Sequence, residues 1–194
     1  TYKPVPQGDG QTLSVQAQAG QYFQSYSFSF TEPWLFSKRP SAFSFGINYS
    51  KVYYDTVTGE DMKLNIFSVS TGLNRMLQWP DDWFSFYTGL QYQNYDFSNY
   101  AFQFGDTTEY YGSANTFSLN LGLSRNSSGP DPIFPTSGSN IELTAKLTPP
   151  YSLFNNKDYS TMTALEKYKW MEFYKIKLKG DFYNTVFGKL VLRT

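Results

Sequence analysis

The side chains of this sequence that could do chemistry are charged residues that alternate with apolar ones. Lys175, Lys177 and Lys179 recur at every second position, so they share one face of an extended strand. The sequence has no cysteine and no histidine, which removes the thiolate nucleophile and the commonest general base. A serine nucleophile would also lack its histidine partner. We therefore expect binding surfaces here, with no enzymatic activity and no cofactor.

The acidic residues do not follow a recognised metal-binding pattern. Asp81 and Asp82 lie in a proline turn, where solvent-exposed acids are common. Acids at 60–61 and at Asp106 and Glu109 place oxygen atoms that could bind a surface calcium ion. The Asp-x-Asp-x-Asp-Gly pattern of a calcium loop is absent, so we expect no metal site.

The composition is rich in aromatic residues and poor in charge. Aromatic residues make up 20% of the chain and charged residues only 16%, with 16 basic and 16 acidic side chains. A net charge of zero argues against a polyanionic partner such as nucleic acid. Abundant aromatic and hydroxyl side chains favour β-strands and are also typical of outer-membrane barrels.

Alternation with a period of two predicts an all-β fold. We expect a loop over residues 1–10 and then, over 11–194, an antiparallel meander of about nine long strands that forms part of a transmembrane β-barrel. The two clearest strands each have one apolar face, which in a barrel meets lipid: Phe117, Leu119, Leu121, Leu123, Ile141, Leu143, Ala145 and Leu147. The opposite face carries the charges that would line the lumen: Glu142, Lys146, Lys175, Lys177, Lys179, Asp181 and Arg193.

The predicted connections alternate in character along the chain. Turns marked by proline or glycine are expected at 31–41, 75–82, 125–139 and 184–188, and polar loops at 55–61, 96–114 and 150–170. The last loop contains a possible short helix over 161–168. Short turns at one end and longer loops at the other are typical of bacterial outer-membrane barrels. In the fourth strand, Met62, Leu64 and Ile66 break the alternation, which predicts a bulge or the point where the strand leaves the membrane.

A soluble β-sandwich is the alternative architecture, with the apolar face as an ordinary core. The predicted strands, at about 9–14 residues, exceed the 5–6 usual in globular proteins and suit the 9–11 that a membrane-spanning strand needs. Aromatic pairs such as Trp79 with Trp83 recur at strand ends, as in the aromatic girdles of barrels. Both features favour the membrane.

The charges of the predicted lumen face suggest two cross-strand pairs. We expect Glu142 to pair with the neighbouring lysine row and Lys146 to pair with Asp181. Two interpretations stay open for these charges, since barrel interiors use them both ways: solvation in a wet lumen, or docking of an inward loop or plug.

Two stretches resemble a known family. The turn Phe134-Pro135-Thr136-Ser137-Gly138, with the alternating strand after it, resembles the corresponding turn and strand in the barrel of BamA-type outer-membrane insertases. Thr31-Glu32-Pro33-Trp34 resembles the motif that ends a strand in the same family. The resemblance covers nearly the whole chain and implies strands three to eleven of a sixteen-stranded barrel. The family's Val-Arg-Gly-Phe motif and periplasmic repeats are expected outside these residues.

The resemblance implies a function in protein assembly. Members of this family form the core barrel of a machine that folds β-barrel proteins and inserts them into the outer membrane, without nucleotide. The implied location is the outer membrane of a Gram-negative-type bacterium. The implied partners are outer-membrane lipid, client β-barrel proteins and accessory periplasmic or surface lipoproteins, with no nucleic acid. A passive porin or channel-type barrel is the first alternative, and a soluble β adhesin or carbohydrate-binding module is the second.

Overall fold

The structure is a computed structural model of the chain. It describes residues 10–35, 41–54, 61–104, 106–129, 135–154, 162–188 and 190–194. Of the loop predicted over 1–10, only Gly10 is among them. None of the helices in the described part of the chain is long and apolar enough to cross a membrane.

Nine strands form one antiparallel sheet in which each strand pairs with its neighbours in chain order. This confirms the predicted meander. The strands are β1 Thr12–Ala19, β2 Phe23–Glu32, β3 Ser41–Tyr54, β4 Met62–Met76, β5 Phe84–Phe104, β6 Thr107–Asn126, β7 Gly138–Leu147, β8 Tyr174–Phe187 and β9 Leu190–Arg193; two short helices, α1 Tyr151–Phe154 and α2 Ala164–Lys167, lie between β7 and β8. The described sheet is open, with β1 and β9 at its edges.

The pairing register gives the sheet two chemically distinct faces. Leu119 pairs with Leu147, Leu121 with Ala145 and Leu123 with Leu143. Because directly opposed residues of paired strands point to the same side, these residues share what we call the apolar face. The intervening residues form the polar face. We call the end of the sheet with the β3–β4, β5–β6 and β7–β8 connections the loop end, and the opposite end the turn end.

The polar loop predicted over 96–114 is wrong. Most of that stretch belongs to β5 and β6, whose register runs unbroken to Ser98 opposite Tyr111, shifts once, and resumes at Phe102 opposite Glu109. Asn99, with φ of 51°, lies at this irregularity. The two strands therefore rise as one long hairpin, 21 and 20 residues each, well beyond the length that spans a bilayer.

The break in alternation at the start of β4 is not a bulge. Its register against both neighbours has no shift, with Leu64 opposite Val52 on one side and Phe97 on the other. The alternation changes because the two faces exchange polarity at the loop end. There the polar face becomes apolar and buries Leu64, Phe97 and Ala114. The alternative prediction, in which the strand leaves the membrane at that point, stays a prediction.

On the other side of the sheet, the side chains change from apolar to polar. Toward the loop end the apolar face ends in polar side chains, and Asn65 Nδ2 donates a hydrogen bond to Asp96 Oδ2 at 3.3 Å. Asn94 Nδ2 similarly donates to Asn115 Oδ1 at 2.9 Å. Water on this side, and protein on the other, is the arrangement expected above a membrane surface.

The β7–β8 connection covers the buried apolar cluster at the loop end of the polar face. Leu165 of α2, Tyr168 and Met171 pack against the buried cluster. The helix begins at Thr163, whose side chain forms a capping box with Glu166. The short helix predicted over 161–168 is thus confirmed at Ala164–Lys167.

The same connection also pairs with the edge of β6. β7 accompanies β6 only as far as Leu147 opposite Leu119. Beyond that point Asn115 N donates to Lys169 O at 2.8 Å, and Met171 N donates to Asn115 O at 2.9 Å. These bonds satisfy backbone groups that the end of β7 would leave unpaired.

One aromatic ring lies flat on the polar face. A Cβ added at Gly72 would meet the Oη of Tyr87 at 2.5 Å, and one at Gly89 would meet it at 2.4 Å. Gly122 also faces this side chain, but its Cβ would meet the Tyr87 Cβ at an ordinary 3.4 Å. The ring therefore occupies space that only glycine leaves free at the first two positions.

Candidate functional site

The candidate site is the polar face below the covered cluster. A groove of about 480 Å³ lies on it, and its lining includes Tyr87, Glu142, Lys146, Lys175 and Lys177. Four of these five side chains carry charge, so the sheet is concave on the side where its charges lie. This arrangement suits binding of a polar or charged ligand and provides no nucleophile–base pair.

Two charge pairs on this face join neighbouring strands. Lys179 Nζ lies 4.0 Å from Glu142 Oε2, which confirms the predicted pairing of Glu142 with the lysine row. Arg193 Nη2 lies 2.8 Å from Asp181 Oδ1, and Arg193 Nε donates to the same oxygen at 2.9 Å. The Arg193 side chain is 65% exposed, and exposed pairs of this kind contribute little stability.

The predicted pair between Lys146 and Asp181 is wrong. The register places Asn140 opposite Asp181 and places Lys146 opposite Lys175. Lys146 Nζ instead donates to the side-chain oxygens of Gln91 at 3.1 Å and Gln93 at 3.4 Å. The amides neutralise none of its charge, so two like charges face each other across β7 and β8.

The next lysines along β8 have no acidic partner. Lys177 is opposite Thr144. Among the described residues, neither Lys175 nor Lys177 forms an ion pair or a hydrogen bond through its side chain. The groove is therefore lined by three lysines that have no carboxylate partner among the described residues, the third being Lys146, whereas Glu142 of the same lining pairs with Lys179.

The motif turn before β7 is a paired extension of β6 and β7. Ser127 N donates to Ser139 O at 2.8 Å, and Gly129 N donates to Ser137 O at 3.1 Å. Gly138 has φ of 101°, and a Cβ there would lie 2.0 Å from the Ser127 carbonyl oxygen. Only glycine fits this position.

The remaining motif residues have simple structural positions. Thr136 O accepts a hydrogen bond from Thr185 Oγ1 of β8 at 2.7 Å, and Pro135 is half-buried. Phe134 lies outside the described residues. The turn thus links three consecutive strands at the turn end.

The strand-end motif closes the β2–β3 connection. Thr31 pairs with Ser44 in the last part of β2. Glu32 is buried, and its carboxylate accepts hydrogen bonds from the Gln11 side chain and, at 3.3 Å, from Trp34 N. Because Pro33 has no N–H, the Trp34 amide is the first donor available after the strand. The motif therefore reverses the chain and leaves the Trp34 ring exposed.

Sequence reasoning missed one polar cluster on the apolar face at the turn end. Arg125 Nε donates to Asp81 Oδ2 at 2.9 Å, and Arg125 Nη1 donates to Ser127 Oγ at 2.8 Å and to Ser139 Oγ at 2.7 Å. Asp81 Oδ1 also accepts from Trp83 N at 3.0 Å. Asp81, interpreted from sequence as a solvated acid, is therefore paired. Only the position of Arg125, in phase with Leu123, could have indicated this.

A second polar cluster holds the β7–β8 connection together outside the strands. Ser152 Oγ donates to Glu172 Oε2 at 2.8 Å, and the Tyr151 ring lies 5.1 Å from that of Trp170. Burial raises the pKa of the Tyr151 phenol, and the nearby Glu172 carboxylate raises it further. Tyr151 is therefore neutral at physiological pH.

The acidic residues that were considered as calcium ligands do not come together in the described part of the chain. No group of three or more acidic, histidine or cysteine side chains lies close enough to hold a metal ion in that part of the chain. Glu60 lies outside the described residues, and Asp61 pairs with Lys63 at 3.4 Å.

Comparison with protein families gives the assignment. Residues 7–194 match the profile of the Omp85 superfamily domain. The chain belongs to the Omp85 superfamily. The match covers the whole of the nine-stranded sheet, including both motif turns. A comparison with curated protein sequences found no significant match.

Solved structures support the same fold. Significant matches include 39 chains. One of them is the crystal structure of BamA from Haemophilus ducreyi lacking POTRA domains 1–3, with 19% sequence identity and a TM-score of 0.60. The match covers 91% of this chain and 32% of that one. The chain thus spans about a third of the BamA structure, and the two share the fold of an outer-membrane β-barrel.

Proposed function

We propose that this Omp85 chain is part of the core barrel of a machine that folds β-barrel proteins and inserts them into the outer membrane. The observation that carries the proposal is the superfamily match over residues 7–194. The fold shared with BamA supports it. In this proposal the chain is no enzyme, needs no cofactor and binds no nucleic acid.

The two faces of the sheet give the proposal its geometry. The apolar face carries Phe117, Leu121 and Leu143 and meets the hydrocarbon core of the membrane. The polar face with its groove meets the water-filled interior. Because an open sheet edge in lipid would leave backbone groups unpaired, the complete protein closes as a barrel; the family resemblance implies sixteen strands.

The partners follow from the same assignment. Client β-barrel proteins are the substrates, and accessory periplasmic or surface lipoproteins complete the complex in a Gram-negative-type outer membrane. The loop end, with its long β5–β6 hairpin, faces the cell exterior, since outer-membrane barrels keep their short turns in the periplasm.

The test is a folding assay with the full-length protein in lipid vesicles. An unfolded outer-membrane protein is added, and its folded fraction is followed by heat-modifiable electrophoretic migration. Vesicles containing a porin at equal density serve as the control. We expect faster folding with this protein than with the porin. Equal folding rates, together with a steady ionic conductance, would refute the proposal in favour of a passive channel.

A further inference from the structure

We propose that the groove on the polar face is a binding site for an extended acidic polypeptide segment. Its cationic side is formed by Lys146, Lys175 and Lys177. The inference rests on the proposed function in one respect, namely that a client polypeptide supplies the segment. Nothing in the family assignment requires these lysines.

The first argument is the charge balance of the groove. Two of the cations on this face, Lys179 and Arg193, have carboxylate partners. Lys146, Lys175 and Lys177 have none among the described residues. The local excess is three positive charges, although the whole chain has none.

The second argument is the electrostatic repulsion between two of these lysines. Lys146 and Lys175 are directly opposed on neighbouring strands, and like charges in that position repel each other. Lys146 Nζ donates to Gln91 and Gln93 of β5, on the side of β7 away from Lys175, and lies 5.8 Å from the Phe173 ring centre, so the ammonium group is fixed on the polar face without a compensating negative charge from these partners. An anion in the groove would remove this repulsion.

The third argument is spacing, which favours a strand-like ligand. Lys175 and Lys177 are two residues apart on one strand, so their side chains emerge about 6.8 Å apart. Alternate side chains of an extended peptide have the same separation. A peptide with acidic residues at every second position, laid along β8, would therefore present one carboxylate to each lysine.

The experiment uses the full-length protein in detergent and a fluorescently labelled eight-residue peptide that alternates glutamate and serine. Binding is measured by fluorescence anisotropy at low and high salt. We expect saturable binding that weakens with salt. A peptide with glutamine in place of glutamate should not bind. Equal binding of the two peptides, or no binding of the acidic one, would overturn the proposal.

Substitutions locate the site. We expect the double variant K175Q/K177Q to bind the acidic peptide about fivefold more weakly, on the basis of exposed ion-pair strengths. The matched control is K167Q, whose lysine lies on α2 outside the groove and should leave binding unchanged. Both proteins must retain heat-modifiable migration. If the double variant does not fold, K177Q alone replaces it, with an expected loss of about twofold.

The outcomes separate this inference from the proposed function. Client folding that proceeds normally in vesicles, with no binding of the acidic peptide, rejects the groove as a binding site and leaves the proposed function standing. Peptide binding that weakens about fivefold in K175Q/K177Q, in a protein that does not accelerate client folding, rejects the function and leaves the site. Equal loss of binding in K167Q and in the double variant also rejects the groove.

Discussion

The Tyr87 ring, which lies flat on the polar face, gives the sharpest test of how the side chains on that face pack. In Gly72→Ala the new Cβ would lie 2.5 Å from the Tyr87 Oη and 2.6 Å from Cε2, where ordinary carbon contacts are about 3.5–4.0 Å. The third of the three nearest contacts is Tyr87 Cζ at 2.8 Å, so all three belong to this one side chain. The substitution therefore acts by displacing the Tyr87 ring from the polar face of the sheet.

The magnitude follows from the burial of that ring. Tyr87 is 36% exposed, so about 130 Å² of a side chain of about 200 Å² is covered, worth at most about 3 kcal/mol. Alanine regains about 0.5–1 kcal/mol of strand propensity over glycine. We expect Gly72→Ala to lower the free energy of unfolding by about 1–2 kcal/mol.

Gly122→Ala is the matched control on the same face. Its Cβ would lie 3.4 Å from the Tyr87 Cβ, a normal contact, so we expect no loss of stability. The measurement is a urea titration of the full-length protein in lipid vesicles, followed by tryptophan fluorescence. The double variant Gly72→Ala/Tyr87→Ala should be more stable than the sum of its single effects. Equal unfolding midpoints for the two glycine variants, or strictly additive effects in the double variant, would refute the reasoning.

Three further substitutions test other parts of the structure. Gly138→Ala places a methyl group against a backbone oxygen and should destabilise the protein by more than about 2 kcal/mol in the same titration, whereas Gly188→Ala, with open space around it, should cost about 1 kcal/mol. Leu165→Asp should uncover the buried cluster and speed limited proteolysis of the β7–β8 connection, unlike Leu153→Asp at an exposed position. Arg125→Gln should lower the free energy of unfolding by about 1–3 kcal/mol, because the Asp81 carboxylate at the turn end loses its guanidinium partner.

Each of these has a plain contrary result. Similar unfolding midpoints for Gly138→Ala and Gly188→Ala would mean that the turn at Gly138 relaxes to accommodate a methyl group. Equal proteolysis rates for the two leucine variants would mean that α2 does not protect the cluster. An unchanged midpoint for Arg125→Gln would mean that its carboxylate partner is solvated as the sequence suggested.

The strands were predictable wherever the two faces of the sheet differ in solvent. Between Phe117 and Leu123, apolar and polar residues alternate without exception, and the structure pairs them as expected. At 96–114 the same criterion failed. There the polar face carries apolar residues covered by the β7–β8 connection, and the apolar face carries polar residues. The alternation of apolar and polar residues therefore shifts by one position, and the stretch resembles a loop.

The charged side chains were predictable by face, but of the two predicted pairs only that of Glu142 with the lysine row was correct. All the charges expected on one side of β7 and β8 share the polar face. The partner of Asp181, however, depends on the register of β8 against β7 and β9, which the pattern of charges does not reveal. A shift of several residues separates Lys146 from Asp181 and brings Arg193 to it.

The apolar row of β6 is short, and this has a consequence for the lipid around it. It runs from Phe117 to Leu123, bracketed on the same face by Asn115 and Arg125. These six steps cover about 20 Å along the strand, or about 15 Å vertically at the tilt usual in barrels, against a typical apolar band of about 25 Å. Such a hydrophobic mismatch compresses the bilayer locally. A strand of another polypeptide that crosses the membrane beside this apolar face would then need fewer apolar residues to span it.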